Sequence, residues 1–211
     1  LKQYNLAWNT QSKNSSESMP CGGGDIGLNV WAENGEILFY MSRSGAFDEN
    51  NVFPKFGRVR LKLSPNPFDG TEFRQELKLK EGYVEISGKK NGRKSLVKIW
   101  VDVFRPVIHV ETESNNPVTV EATYENWRIK DLEWTNPRMT NASLGFRDAP
   151  MNAFIRKDSI QFSDNKVLFY HRNRDESLFD IAQSYGIQLG FLLTYNHLSI
   201  SDKIKDRKSV V

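Results

Sequence analysis

The chain is predicted to be all-β, an antiparallel sandwich, and three observations predict it. Apolar residues recur at period two in segment after segment, as in Val59, Leu61 and Leu63 set against Arg58, Arg60 and Lys62. Tight-turn dipeptides, Asn34-Gly35 and Asn91-Gly92, stand between such segments, where a type I′ hairpin turn needs φ > 0 twice. No segment of helical period interrupts the pattern up to Tyr124. Repeated short strands with Gly, Asn and Pro turns between them are the signature of a sandwich.

The elements follow in order. Tyr4, Leu6 and Trp8 mark a first strand within residues 1–10, and residues 12–18 form a Ser/Asn-rich loop. The stretch 19–50 organises the rest, reading as turn, strand, turn, strand and polar loop. Its glycines, Gly22, Gly23 and Gly24, read as a tight turn leading into a strand with Ile26, Leu28 and Val30 on one face. A phosphate cradle is excluded, because the glycines lead into a strand rather than a helix N-terminus and Asp25 would repel an anion. Ile37, Phe39 and Met41 form the return strand, and residues 42–51 form a dense polar loop at its end.

Strands are then predicted over 57–63, 73–79, 83–87 and 95–104. The last has an apolar stripe of Val97, Ile99, Val101 and Val103, whose β-branched content suits a central strand. Residues 107–112 and 118–124 follow. From 125 to 149 periodicity disappears while Trp127 and Trp134 stand among charged residues, an irregular length that often carries function. Strands resume over 153–162 and 166–170. A short helix is expected over 175–184, with Ser177 as N-cap and Gly186 as stop, then a last strand over 188–195. One sandwich domain over 1–200 and a charged tail over 201–211 complete the expected organisation.

With 211 residues the chain can bury a sizeable core, and its net charge of +3 (pI about 8.9) is interspersed rather than striped, which argues against nucleic acid. A single cysteine, Cys21, precludes an intrachain disulfide and a Cys-cluster metal site, and reads as a small packed residue. His109, His171 and His197 are scattered, so no metal or other cofactor is expected. No apolar window is long enough to span a bilayer. A start at Leu1 without a signal-peptide pattern reads as a processed or trimmed product.

Catalytic patterns are weak. Asp48 and Glu49 are adjacent and point to opposite faces of an extended chain, so they cannot form the facing carboxylate pair of glycoside hydrolysis. No Gly-x-Ser-x-Gly elbow is present. A sugar epimerase on a sandwich would need a histidine and a carboxylate converging in a cleft. Carbohydrate binding is better motivated, since sugar C–H faces stack on exposed aromatics while fixed polar groups read the hydroxyls. Trp127 and Trp134, with Arg128, Asp131 and Glu133 between them, supply those types; the alternative is that both tryptophans anchor the core. Arg43, Asp48, Glu49 and Asn50 form a second candidate set, against the reading of a solvated, self-bonded loop. His171 and Arg172 at a strand end complete the candidate residues. No catalytic residue is assigned.

Pro20, Gly22, Gly24, Gly27 and Val30 match the spacing of a Leu-Pro-x-Gly-Asn-Gly-x-x-Gly-Ala-x-Val opening, and this resembles the inverting alpha-L-fucosidase family over the first quarter of the chain. The whole stretch, together with residues 42–50 and Tyr170-His171-Arg172-Asn173, resembles more closely a bacterial domain-of-unknown-function family. That family stands at the N-terminal end of large glycoside hydrolases, many of them exported. The resemblance implies an antiparallel β-supersandwich of the galactose mutarotase-like kind. It also implies a non-catalytic module that packs on a downstream (α/α)6 catalytic barrel and rims a glycan cleft, in the periplasm or outside the cell. The implied partners are that barrel and an oligo- or polysaccharide. An independent carbohydrate-binding module is the other expectation. Asp25 and Met41-Ser42-Arg43 depart from the fucosidase pattern, so fucose specificity does not transfer.

Overall fold

A computed structural model of the chain describes residues 1–46, 56–70, 72–133 and 154–171. The chain divides into two compact units, Leu1–Gly45 with Lys55–Trp127, and Ala46–Pro54 with Arg128–Val211.

The first unit is an antiparallel β-sandwich. Its strands are β1 (Leu6–Trp8), β2 (Met19–Gly23), β3 (Ile26–Glu33), β4 (Glu36–Arg43), β5 (Gly57–Ser64), β6 (Glu72–Lys78), β7 (Tyr83–Lys90), β8 (Arg93–Val101), β9 (Ile108–Ser114) and β10 (Thr119–Glu125). They form two five-stranded sheets, ordered β1-β6-β7-β8-β9 and β10-β5-β4-β3-β2. Two single 3-10 turns, Lys2–Tyr4 and Ser15–Glu17, are the helical pieces among the described residues.

Period-two alternation builds the core. Ile26, Leu28, Val30 and Ala32 of β3 are buried, with Ile37, Phe39 and Met41 of β4 and Leu61 and Leu63 of β5. From the other sheet come Phe73 and Leu77, Val84 and Ile86, and Val97, Ile99 and Val101. Full burial of each such side chain is worth about 1.5–3 kcal/mol before chain entropy is counted. Buried polar groups join them, Gln75 the most deeply set. Gln75 is buried, its Oε1 accepts from the Ala32 N–H at 3.0 Å and its Nε2 donates to the Val30 carbonyl at 3.3 Å. β2 pairs with β3 only as far as Val30, so Gln75 satisfies the amide that the ladder leaves open.

Both Asn-Gly turns have the expected backbone, φ 52° and 78° at Asn34 and Gly35, and 52° and 75° at Asn91 and Gly92. Two expectations need correction. Gly22 and Gly23 are strand, the end of β2, paired with β3 through Gly22↔Gly27 and Gly23↔Ile26, and only Gly24 (φ 58°) with Asp25 makes the turn. Gly23 stays small because an added Cβ would lie 2.7 Å from the Val101 carbonyl oxygen of the facing sheet. Likewise β8 ends at Val101, so Val103 leaves the apolar stripe and is exposed. The cause is Asp102, whose Oδ1 accepts from the N–H groups of Phe104 (2.8 Å) and Arg105 (3.2 Å) and turns the chain out of the sheet. β8 does lie inside its sheet, between β7 and β9.

In the second unit, β11 (Leu132–Glu133) pairs with β12 (Phe154–Ile155), and β13 (Ser159–Ser163) forms a hairpin with β14 (Lys166–Tyr170). The single strand expected over 153–162 is therefore two, interrupted by Arg156-Lys157-Asp158. The expected helix over 175–184, the strand over 188–195 and the tail 201–211 lie outside the described residues. No helix among the described residues is long and apolar enough to cross a membrane.

Candidate functional site

The outward face of the second sheet brings aromatic and charged side chains together. Strand pairing sets it up: Asn29, Tyr40, Arg58 and Glu125 lie opposite one another across β3, β4, β5 and β10. Residues so paired share a face, because each strand contributes every second side chain to it. The adjacent row contains Trp31, Leu38 and Arg60.

Trp31 and Leu38 are buried although they point away from the core, so this sheet is covered on both faces at β3 and β4. Part of the cover is aromatic. Tyr40 lies against Trp31 with ring centroids 4.8 Å apart, and Trp127 meets Tyr40 edge-on at 5.5 Å and 70°. Trp127 itself is 45% exposed. It is a surface indole on an aromatic base, and the reading of it as a core anchor is not what the structure has.

Beside it, four charges lock together. Glu125 Oε2 accepts from Arg58 Nε (2.6 Å) and Nη2 (2.5 Å), and its Oε1 accepts from Arg60 Nε at 2.7 Å. Arg60 Nη1 also donates to Glu36 Oε2. Burial works against the Glu125 charge, but Arg60 and Arg58 outweigh it and hold the carboxyl below its usual range. The same carboxylates push the Arg60 guanidinium up.

The second unit has a smaller, more buried cluster. The side chain of Asp158 is 2% exposed, and its Oδ1 meets Arg128 Nε at 2.9 Å and His171 Nδ1 at 2.8 Å. The Asp158 N–H donates to the Arg128 carbonyl at 2.7 Å. Nearby, Arg156 Nη1 and the Lys157 N–H both donate to Asp131, each at 3.0 Å. Burial alone would raise the Asp158 pKa; the hydrogen bonds from His171 and Arg128 override it, and the carboxyl is held down.

The remaining candidates are placed as follows. Arg43 ends β4 and reaches back to Asp25 Oδ2 at 2.6 Å, closing the β2–β3 turn. Asp48, Glu49, Asn50, Trp134 and Arg172 lie outside the described residues, as does His197. His171 does converge with a carboxylate, as an epimerase would require, but the oxygen it meets is already held by Arg128, which makes a poor proton acceptor. His109 stacks on Trp100, centroids 3.9 Å apart at 8°, with Nε2 4.0 Å from Asp102. Burial raises the Cys21 thiol pKa, the opposite of an activated nucleophile. Among the described residues no three His, Cys, Asp or Glu side chains are grouped to hold a metal ion.

Sequence reasoning missed Arg58, Arg60, Glu125 and Asp158. The first three come together only through the β5–β10 pairing, which joins strands about sixty residues apart in sequence. The one available signal was Glu125 two residues before Trp127, a spacing that puts both on one side of an extended chain.

Residues 7–187 match the family DUF5703_N, described as Domain of unknown function (DUF5703). No curated protein matches the chain.

Proposed function

The chain belongs to the DUF5703 domain family, and from that premise we propose that it is a non-catalytic β-sandwich module of a glycoside hydrolase. In this reading it packs on a downstream (α/α)6 catalytic barrel of the same polypeptide, works in the periplasm or outside the cell, and lends its outward sheet face to the rim of a glycan cleft.

One observation carries the reading. Every described carboxyl whose pKa departs clearly from its ordinary range, Glu76, Asp102, Glu125 and Asp158, is shifted down. Glycosidic acid catalysis needs the reverse, a carboxyl held up so that it keeps a proton near neutral pH and can give it to the leaving oxygen. Each of these carboxylates is held toward its ionised form by hydrogen bonds from neighbouring cations or backbone N–H groups. Such groups suit recognition and support better than proton transfer.

The test is release of reducing ends from a panel of polysaccharides. Two samples are compared, the 211-residue chain and the polypeptide joining it to the helical barrel. The joined polypeptide is expected to cleave a member of the panel and the chain alone none. Turnover by the chain alone would end the reading.

A further inference from the structure

The geometry points to a binding site for a neutral saccharide on the outward face of β4, β5 and β10, with Trp127 as the stacking platform and Glu125 and Arg58 as the hydroxyl-reading pair. This inference rests on the module reading above and names what the module's face would hold.

Trp127 provides the apolar half of the site. Tyr40 can occupy at most one face of the indole, and 45% of the residue stays open to solvent. A pyranose ring presents a flat patch of C–H groups that covers such a face, in the way that ring stacking gains dispersion and excludes water. The Tyr40–Trp31 base below fixes the platform, so little side-chain freedom is lost when a ligand settles on it.

Glu125 and Arg58 provide the polar half. Register places Arg58 directly across from Tyr40 and Glu125 directly across from Arg58, so the pair borders the aromatic column on the same face. Their side chains are 26% and 25% exposed, locked to each other yet reachable by a ligand. A carboxylate has about four lone-pair sites and a guanidinium five N–H donors, which leaves Glu125 and Arg58 spare capacity toward hydroxyl groups. Planar polar groups fixed by one another, next to an apolar surface, are the usual means of orienting a polyhydroxylated ligand.

Charge selects the ligand class. Arg58 and Arg60 are matched by Glu125 and Glu36 within one network. Two positive and two negative charges leave no surplus to attract a phosphate or a uronate, so nucleotides, nucleic acid and acidic glycans gain nothing here that a neutral sugar lacks.

Isothermal titration of the 211-residue chain tests the site. The ligands are neutral gluco-, xylo-, manno- and galacto-oligosaccharides, with an oligouronate as the charged control. At least one neutral ligand is expected to bind and the oligouronate to bind more weakly. Trp127→Ala is expected to weaken neutral-sugar binding about tenfold or more, as for a central aromatic anchor. Glu125→Gln keeps the shape and is expected to weaken it severalfold, while Trp100→Ala on the other sheet leaves it unchanged. Thermal melts of each variant report whether the fold is intact, and Trp127→Ala, at the surface, keeps the test usable if Glu125→Gln unfolds. A flat neutral panel, tighter uronate binding, or binding that survives Trp127→Ala overturns the site. Survival in Trp127→Ala leaves the module reading standing, whereas hydrolysis by the chain alone ends that reading without touching this site.

Discussion

In the sandwich, β8 buries Val97 and Ile99 fully, whereas in the second unit β13 and β14 leave Phe162 81% and Val167 52% exposed. Both regions are antiparallel and both carry alternating sequences, yet different forces hold them. The sandwich spreads its stability over two inward faces, and Gln75 is the most deeply buried polar side chain between them. In the second unit a charged side chain is buried instead, Asp158, tied to Arg128 and His171. A two-stranded hairpin is marginal alone in water, so an ionic clamp at its base matters more there than it would in a large sheet. Stability spread over many apolar contacts tolerates a single loss; stability concentrated in one carboxylate does not.

The largest expected effect breaks that contrast at its charged end. Asp158→Ala leaves Arg128 and His171 without their shared anion, a loss of about 3–5 kcal/mol for a buried pair. Hydrogen exchange is the measurement: amides of β13 and β14 should lose protection while those of β3, β4 and β8 keep theirs. Equal loss in both regions would mean that the clamp serves the whole chain. The smaller effect sits in the apolar region. Gln75→Leu keeps the volume but leaves the Ala32 N–H and the Val30 carbonyl without their side-chain partner, at a cost of about 1–3 kcal/mol. A lowered urea midpoint with an unchanged slope would report it. An unchanged midpoint would show that the core needs no polar bridge.

The same contrast explains what could be read from the sequence. Alternation, β-branched residues and the Asn-Gly turns are local signals, and β3, β4, β5, β8 and β14 fall close to where those signals place them. Asp102 ended β8 early because its side chain competes for backbone N–H groups, a choice that periodicity does not register. Gly22 and Gly23 read as turn because glycine marks turns; they belong to a strand that pairs with β3, and Gly23 is kept small by Val101 in the other sheet, a long-range fact. The candidate site was half legible. Trp127 and His171 stood out by residue type, but the partners that define their surroundings, Arg58, Glu125 and Asp158, arrive by long-range pairing. Trp31 stands off the Ile26-Leu28-Val30 face and is nevertheless buried, with Tyr40 packed against it.

Whether these carboxyls stay ionised below the usual range is measured directly by 13C NMR titration of the side chains of Glu76, Glu125 and Asp158. For Glu76, burial opposes the charge, but hydrogen bonds from Lys78, Asn5 and Arg74 bring the pKa down to about 2. Glu125 and Asp158 are lowered in the same sense. A depressed pKa in the folded state stabilises the fold above the ordinary carboxyl value, and for Glu76 that contribution is lost as pH falls from 4.5 to about 2. The predicted result is three resonances that stay ionised below the ordinary carboxyl range, with unfolding setting in as they protonate. A midpoint near neutral pH at Glu125 or Asp158 would reveal a proton donor of the kind glycosidases use, and would contradict the account.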